Sequence, residues 1–155
     1  MYTNEELEKL TLQWGEDRKI TTNGTLQAQF IKLVEEHGEF FDSNGDNEEI
    51  KDSIGDMIVV LVMMNGILTR SFLNTDSVLG RDYPASLLGK MASTISRKND
   101  VDTAVVIDAM FSLLHKIAEF HNLTINECWN YAYNEIKDRK GYLSEDGCFI
   151  KEEEK

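Results

Sequence analysis

The residues best suited to chemistry lie between Gln29 and Leu61, in the stretch QFIKLVEEHGEFFDSNGDNEEIKDSIGDMIVVL. Glu36 and Glu39 stand one helical turn apart, and Asp52 and Asp56 repeat that interval on the next segment. Carboxylates brought together across two packed helices repel one another unless a cation sits between them. An acidic residue on a helix is ordinarily part of a solvated face. Here the set gathers at one edge of two adjacent antiparallel helices, which predicts a divalent metal site. Ligands that are all oxygen favour Mg²⁺, with Mn²⁺ as the alternative, and water completing an octahedron. A metal held this way points to phosphate chemistry.

The helices that carry these groups can be read from angles of about 100° per residue. On the first, Leu26, Phe30, Leu33, Val34, His37 and Phe41 form an apolar face, flanked by a band of Gln29, Lys32, Glu36 and Glu39, with Glu35 pointing away. On the second, Ile50, Ile54, Met57 and Leu61 make the core stripe, while Glu49, Asp52 and Asp56 share a separate band. Beyond Asp56 the segment is apolar nearly all round, which predicts burial at the centre of a bundle. Asp56 therefore sits where a carboxylate meets the core, a costly position unless it is paired or metal-bound. Asp42, Asn44 and Asp46 have the opening spacing of a calcium-binding loop. The pattern fails afterwards, with Asn47 for glycine and Ser53 for the final glutamate, so 42–47 reads as a turn.

Stepping outward, caps and breakers predict further helices. Thr3 with Glu6 forms a capping box for a helix ending near Arg18, and Asn23-Gly24 breaks the chain. The two acidic segments follow, as helices over about 25–41 and 47–72. The span 74–83 reads as a loop, and Pro84 opens a helix ending near Arg97. Asp100 or Asp102 caps a helix to about His121. Thr124 with Glu127 caps a last one, predicted to stop at Gly141. A short extended piece is expected at 147–150, and the terminal KEEEK is a solvated end.

Bulk properties exclude several classes. A net charge of −12 argues against a nucleic-acid backbone or an anionic membrane as partner. The most apolar run, 57–68, is too short to span a bilayer. With 41% apolar residues and one proline, 155 residues suit a single all-α domain. No charged-then-apolar signal segment opens the chain, and its two cysteines, Cys128 and Cys148, lack a CxxC arrangement, so a reducing cytoplasm is expected. His115 and His121 have no partners at metal-ligand spacing. His37 and Met57, Met63, Met64, Met91 and Met110 read as packing groups.

Glu36-His37-Gly38-Glu39, followed by Ile54-Gly55-Asp56 opening an apolar helix, resembles the MazG-like all-α nucleoside triphosphate pyrophosphatases. The flanks resemble short single-domain members too: Trp14-Gly15-Glu16-Asp17-Arg18-Lys19-Ile20, the run from Gln29 to Glu36, and the ending from Ala132 to Gly141 with Gly147-Cys148-Phe149-Ile150-Lys151. The resemblance covers about residues 10–72 and 120–151. One position departs from it. The family's second motif is Glu-x-x-Asp, and the glutamate expected three residues before Asp56 is Ser53. Asp52 is the preferred replacement, with Glu49 the alternative. The segment 74–100 looks inserted relative to the shortest members.

The resemblance implies a bundle of about five to six helices whose four-helix core is completed in a homodimer or homotetramer, with nucleotide near a subunit interface. It implies Mg²⁺-dependent hydrolysis of a (d)NTP to (d)NMP and pyrophosphate. Glu36, Glu39, Asp52 and Asp56 would hold the metal, and Glu39 is a plausible base among the catalytic candidates Glu36, Glu39 and Asp56. In so acidic a chain the local cations stand out as phosphate ligands: Lys32, Lys137, Arg139 and Lys140. Gln29 shares the band of Lys32 and the glutamates. On the last helix Asn130, Asn134 and Lys137 form a polar stripe beside Trp129, Tyr133 and Ile136, a candidate surface for sugar and base. Trp14 and Arg18, one turn apart, are candidates for the wall of the base pocket.

Overall fold

The computed structural model describes residues 1–70, 73 and 83–152. The expected loop at 74–82, the end of the third predicted helix at 71–72 and the tip of the terminal tail lie outside these residues. Among the described residues seven helices and one hairpin follow in order: α1 Asn4–Asp17, α2 Ile20–Asn23, α3 Leu26–Asp42, α4 Asn47–Ile67, α5 Pro84–Ser96, α6 Asp100–Phe120, α7 Ile125–Ile136, β1 Gly141–Leu143 and β2 Phe149–Lys151. The class is all-α, as expected.

The capping residues act as their chemistry dictates. Thr3 and Thr124 close capping boxes with Glu6 and Glu127. Asp46 accepts from the amides of Glu48 and Glu49 at the start of α4, so its carboxylate serves a helix end rather than a calcium loop. Asn44 and Gly45 take positive φ (50° and 87°) to complete that turn. For α6 the cap is Asn99, not Asp100 or Asp102; its Oδ1 accepts from the Asp102 amide at 3.1 Å.

Helix α4 is the axis of the molecule. Ile50, Ile54, Met57 and Leu61 are 0–1% exposed, and residues 57–65 are buried on every side. Around it pack α1, α3, α6 and α7, with α5 laid on α6. Leu87, Met91 and Ile95 anchor α5 in the core. The crossing of α4 with α7 depends on Gly55. A Cβ there would stand 2.3 Å from the Cys128 carbonyl oxygen and 2.7 Å from the Ala132 methyl.

Several expectations need correction. The spacing predicts no helix between Arg18 and the Asn23-Gly24 break, yet α2 forms there over Ile20–Asn23. Helix α4 ends at Ile67 rather than near Phe72. Helix α7 stops at Ile136, before Gly141: Trp14 Nε1 of α1 donates to Ile136 O at 2.7 Å, and the Arg18 guanidinium just past α1 donates to Arg139 O in the segment that follows. The chain then turns back as a hairpin in the register Gly141–Lys151, Tyr142–Ile150, Leu143–Phe149. On α3, Val34 and Phe41 are 44% and 63% exposed, while Gln29 and Glu36 are 5% and 8% exposed. The helix is rolled so that Gln29 and Glu36 join Leu33 on its inner side, while Val34 and Phe41 turn outward.

Candidate functional site

That roll makes the site. A cavity of about 290 Å³ opens between α1, α2, α3, α4, the end of α7 and strand β2. From α3 come Gln29, Lys32 and Glu36, successive turns of one helix edge. From α4 come Asp56, Val59, Val60 and Met63. Trp14, Ile20, Ile136, Phe149 and Ile150 supply an apolar and aromatic end, and Arg139 and Lys151 stand beside the carboxylates. The cavity thus carries Lys32, Arg139 and Lys151 against Glu36 and Asp56, a local excess of positive charge in a protein of net charge −12.

Glu36 is strained electrostatically. Burial pushes its pKa up to about 7, and Asp56 and Glu39 add to the rise against a partial counter-effect of Lys32. Lys32 Nζ lies 3.9 Å from Glu36 Oε1 and only 2.6 Å from Glu35 Oε2. The other oxygen, Glu36 Oε2, is buried with no hydrogen-bond partner among the described residues. A buried carboxylate oxygen without a donor lacks what a cation or a ligand proton would supply. Asp56 is pushed up to about 6 by burial and by Asp52, while Arg139 and Lys151 pull the other way. Asp52 is also raised, through burial, Glu135 and Glu39.

The four expected metal ligands divide between two hollows. Glu36 and Asp56 face the cavity. Glu39 and Asp52 line a neighbouring cleft of about 360 Å³ with Asp42, Glu49 and Ser53. Among the described residues no three Asp, Glu, His or Cys side chains are gathered closely enough to hold a metal ion as they lie. The orphaned Glu36 oxygen, and the rise of Glu36, Asp56 and Asp52 through burial first and neighbouring carboxylates second, mark a desolvated carboxylate set. The donor chemistry fits a hard divalent ion.

The other candidates sort clearly. Trp14, Gln29, Lys32 and Arg139 line the cavity. Arg18 does not; it stacks on Trp14 at 4.5 Å and spends its donors on the Arg139 and Trp14 carbonyls. Asn134 and Lys137 bond to each other at 3.0 Å on the exposed side of α7, and Lys140 is exposed away from the cavity walls. Asn130 holds the N-terminal strand of chain, accepting from the Tyr2 amide at 2.9 Å and donating to its carbonyl. Trp129 is buried and donates to Thr11 Oγ1. On the polar stripe of α7, Asn130 is thus engaged with the N-terminal residues, and Asn134 and Lys137 with each other. Cys128 and Cys148 are free thiols, and burial pushes Cys128 up to about 11, an inert state. Sequence reasoning missed the hairpin wall of Phe149, Ile150 and Lys151. The only signal for it was the ending Gly147–Lys151, noted as a match and not as a surface.

No protein-family profile matches the chain, and no solved structure matches it. The chain is similar to an uncharacterized 18.2 kDa protein from the rep-hol intergenic region of Haemophilus phage HP1, at 47% identity over 62 residues. That match covers 39% of this chain and spans 38% of the relative's length. No helix among the described residues is long and apolar enough to cross a membrane.

Proposed function

We propose that the protein is a Mg²⁺-dependent nucleotide pyrophosphohydrolase that cleaves a (d)NTP to the (d)NMP and pyrophosphate. The observation that carries this reading is the composition of one cavity. An unsatisfied buried glutamate and a desolvated aspartate face cations at one end, and aromatic and aliphatic walls at the other. Such a cavity offers separate places for a polyphosphate and a base.

Glu36 and Asp56, with Glu39 and Asp52 from the adjoining cleft, are the groups that would hold Mg²⁺. When bound, the ion supplies charge neutralisation of the polyphosphate and activation toward attack. The chain's own residues do the rest. Lys32 and Arg139 hold phosphate oxygens. Trp14 and Phe149, edge to face at 5.5 Å, wall the base end. Glu39 takes the proton of the attacking water. The water oxygen bonds to the α-phosphorus, the bond from that phosphorus to the α–β bridging oxygen breaks, and pyrophosphate leaves with the electron pair.

The proposal includes assembly as a homodimer or homotetramer. Ile31, Val34 and Phe41 on α3, with Phe120 at the end of α6, are 44–83% exposed and form the apolar surface on which subunits would meet. Sedimentation at graded concentration tests that part.

The reaction is tested by incubating the common ribo- and deoxyribonucleoside triphosphates with and without Mg²⁺ and resolving pyrophosphate from orthophosphate. Metal-dependent pyrophosphate with matching monophosphate is the expected result. Orthophosphate with diphosphate means that another bond is cut, and the reading fails.

A further inference from the structure

We infer that the C-terminal hairpin is the anion-binding wall of the cavity, and that Lys151, together with Arg139, binds phosphate oxygens of the ligand. That the anion is a polyphosphate rests on the pyrophosphohydrolase reading; that this wall binds an anion rests on geometry.

The placement of Lys151 is built, not incidental. Trp14 is fixed by its bond to Ile136 O, and Phe149 packs edge-on against it. Two residues further on, Lys151 reaches the cavity mouth beside Arg139. The strand can close so tightly because Gly141 stands opposite Lys151. A Cβ on Gly141 would meet Ile150 O at 2.2 Å and the Phe149 ring at 2.4 Å. The turn is equally specified: Gly147 takes φ 80°, Ser144 N donates to Cys148 O at 2.8 Å, and Gly147 lies against Thr25 and Gly24. The hairpin is thus held at both its turn and its open end.

The electrostatics agree. Neither Arg139 nor Lys151 has a carboxylate within ion-pair distance among the described residues, although Asp56 and Asp52 feel both. Two cations on the cavity wall, unneutralised by a direct pair and close enough to Asp56 to pull its pKa down, suit an anion that arrives with its own counter-ion.

The test uses inorganic tripolyphosphate as the probe, with calorimetric binding measured in Mg²⁺ buffer across a salt series. Lys151→Ala should weaken binding about tenfold, the size of one charge-assisted contact, and flatten the salt dependence. Lys151→Arg should restore most of it. Lys9→Ala, an exposed cation on α1 away from the cavity, should bind as wild type. Equal affinity of Lys151→Ala and wild type overturns the inference, as does wild type that binds no tripolyphosphate. Lys151-dependent binding without any nucleotide turnover keeps the inference and removes the pyrophosphohydrolase reading.

Discussion

Two hollows lie side by side against α3 and α4, and their linings are opposite in character. The inner cavity has two carboxylates, three cations and an aromatic end. The outer cleft has Glu39, Asp42, Glu49 and Asp52 with Ser53, and among the described residues no cation on its wall. The same two helices make both, because successive turns of α3 and α4 carry a carboxylate first to one side and then to the other. The difference suggests a division of labour in which the inner hollow receives the ligand and the outer one concentrates negative charge. Each of the following changes acts on one side of that division or on the helix crossing beneath it.

The largest effect is expected at the carboxylates themselves. Asp56→Asn on the inner side and Glu39→Gln on the outer side should each abolish turnover, a loss of at least about a hundredfold. The helical circular dichroism of both should match wild type. Full activity in a folded Glu39→Gln variant would make the outer cleft irrelevant to catalysis and break the comparison.

Next comes the crossing that the hollows share. Gly55→Ala forces a methyl into the Cys128 carbonyl, so α4 and α7 must separate. A loss of roughly 1–3 kcal/mol in urea unfolding is expected, with weaker ligand binding as Arg139 moves with the end of α7. A stability within error of wild type would show that the crossing relaxes freely.

The pH dependence reports on the inner hollow. Glu36 and Asp56 hold their protons more tightly in the folded chain than at their ordinary values of 4.5 and 3.8. Their contribution to stability is therefore complete below those values and is lost as pH rises through about 6 and 7. Metal-free protein should melt at lower temperature at pH 8 than at pH 5. Glu36→Gln should remove a large part of the decline, on the order of 1–2 kcal/mol. A decline unchanged in that variant would locate the strain elsewhere.

The smallest effect sharpens the outer side. Ser53→Glu restores the carboxylate that the resembled motif carries, at a position only 4% exposed. It should lower the melting temperature without metal and make the Mg²⁺-dependent rise steeper. A metal response identical to wild type would exclude the outer cleft from cation binding.

Much of this was legible in the sequence because it rests on local rules. The capping boxes at Thr3 and Thr124, the buried stripe of α4 and the shared edge of Gln29, Lys32 and Glu36 follow from spacing alone. What stayed hidden depends on contacts distant in sequence. Nothing near Ile136 says that Trp14 will take its carbonyl, or that Arg18 will take the Arg139 carbonyl just beyond the early end of α7. Nothing in helical periodicity says that Val34 and Phe41 lie outside while Glu36 lies inside, since that roll is set by what α3 packs against. Arg18 stands off the cavity wall for the same reason: its donors go to carbonyls, one of them distant in sequence. Lys151 was missed because a three-residue strand carries almost no pattern.

The most direct test of the central claim is hydrolysis of a deoxyribonucleoside triphosphate in heavy-oxygen water, with mass analysis of both products. Attack at the α-phosphorus, across the cavity that joins Glu36 and Asp56 to the cationic wall, predicts one heavy oxygen in the monophosphate and none in pyrophosphate. Label in the pyrophosphate, or release of orthophosphate in its place, would contradict it.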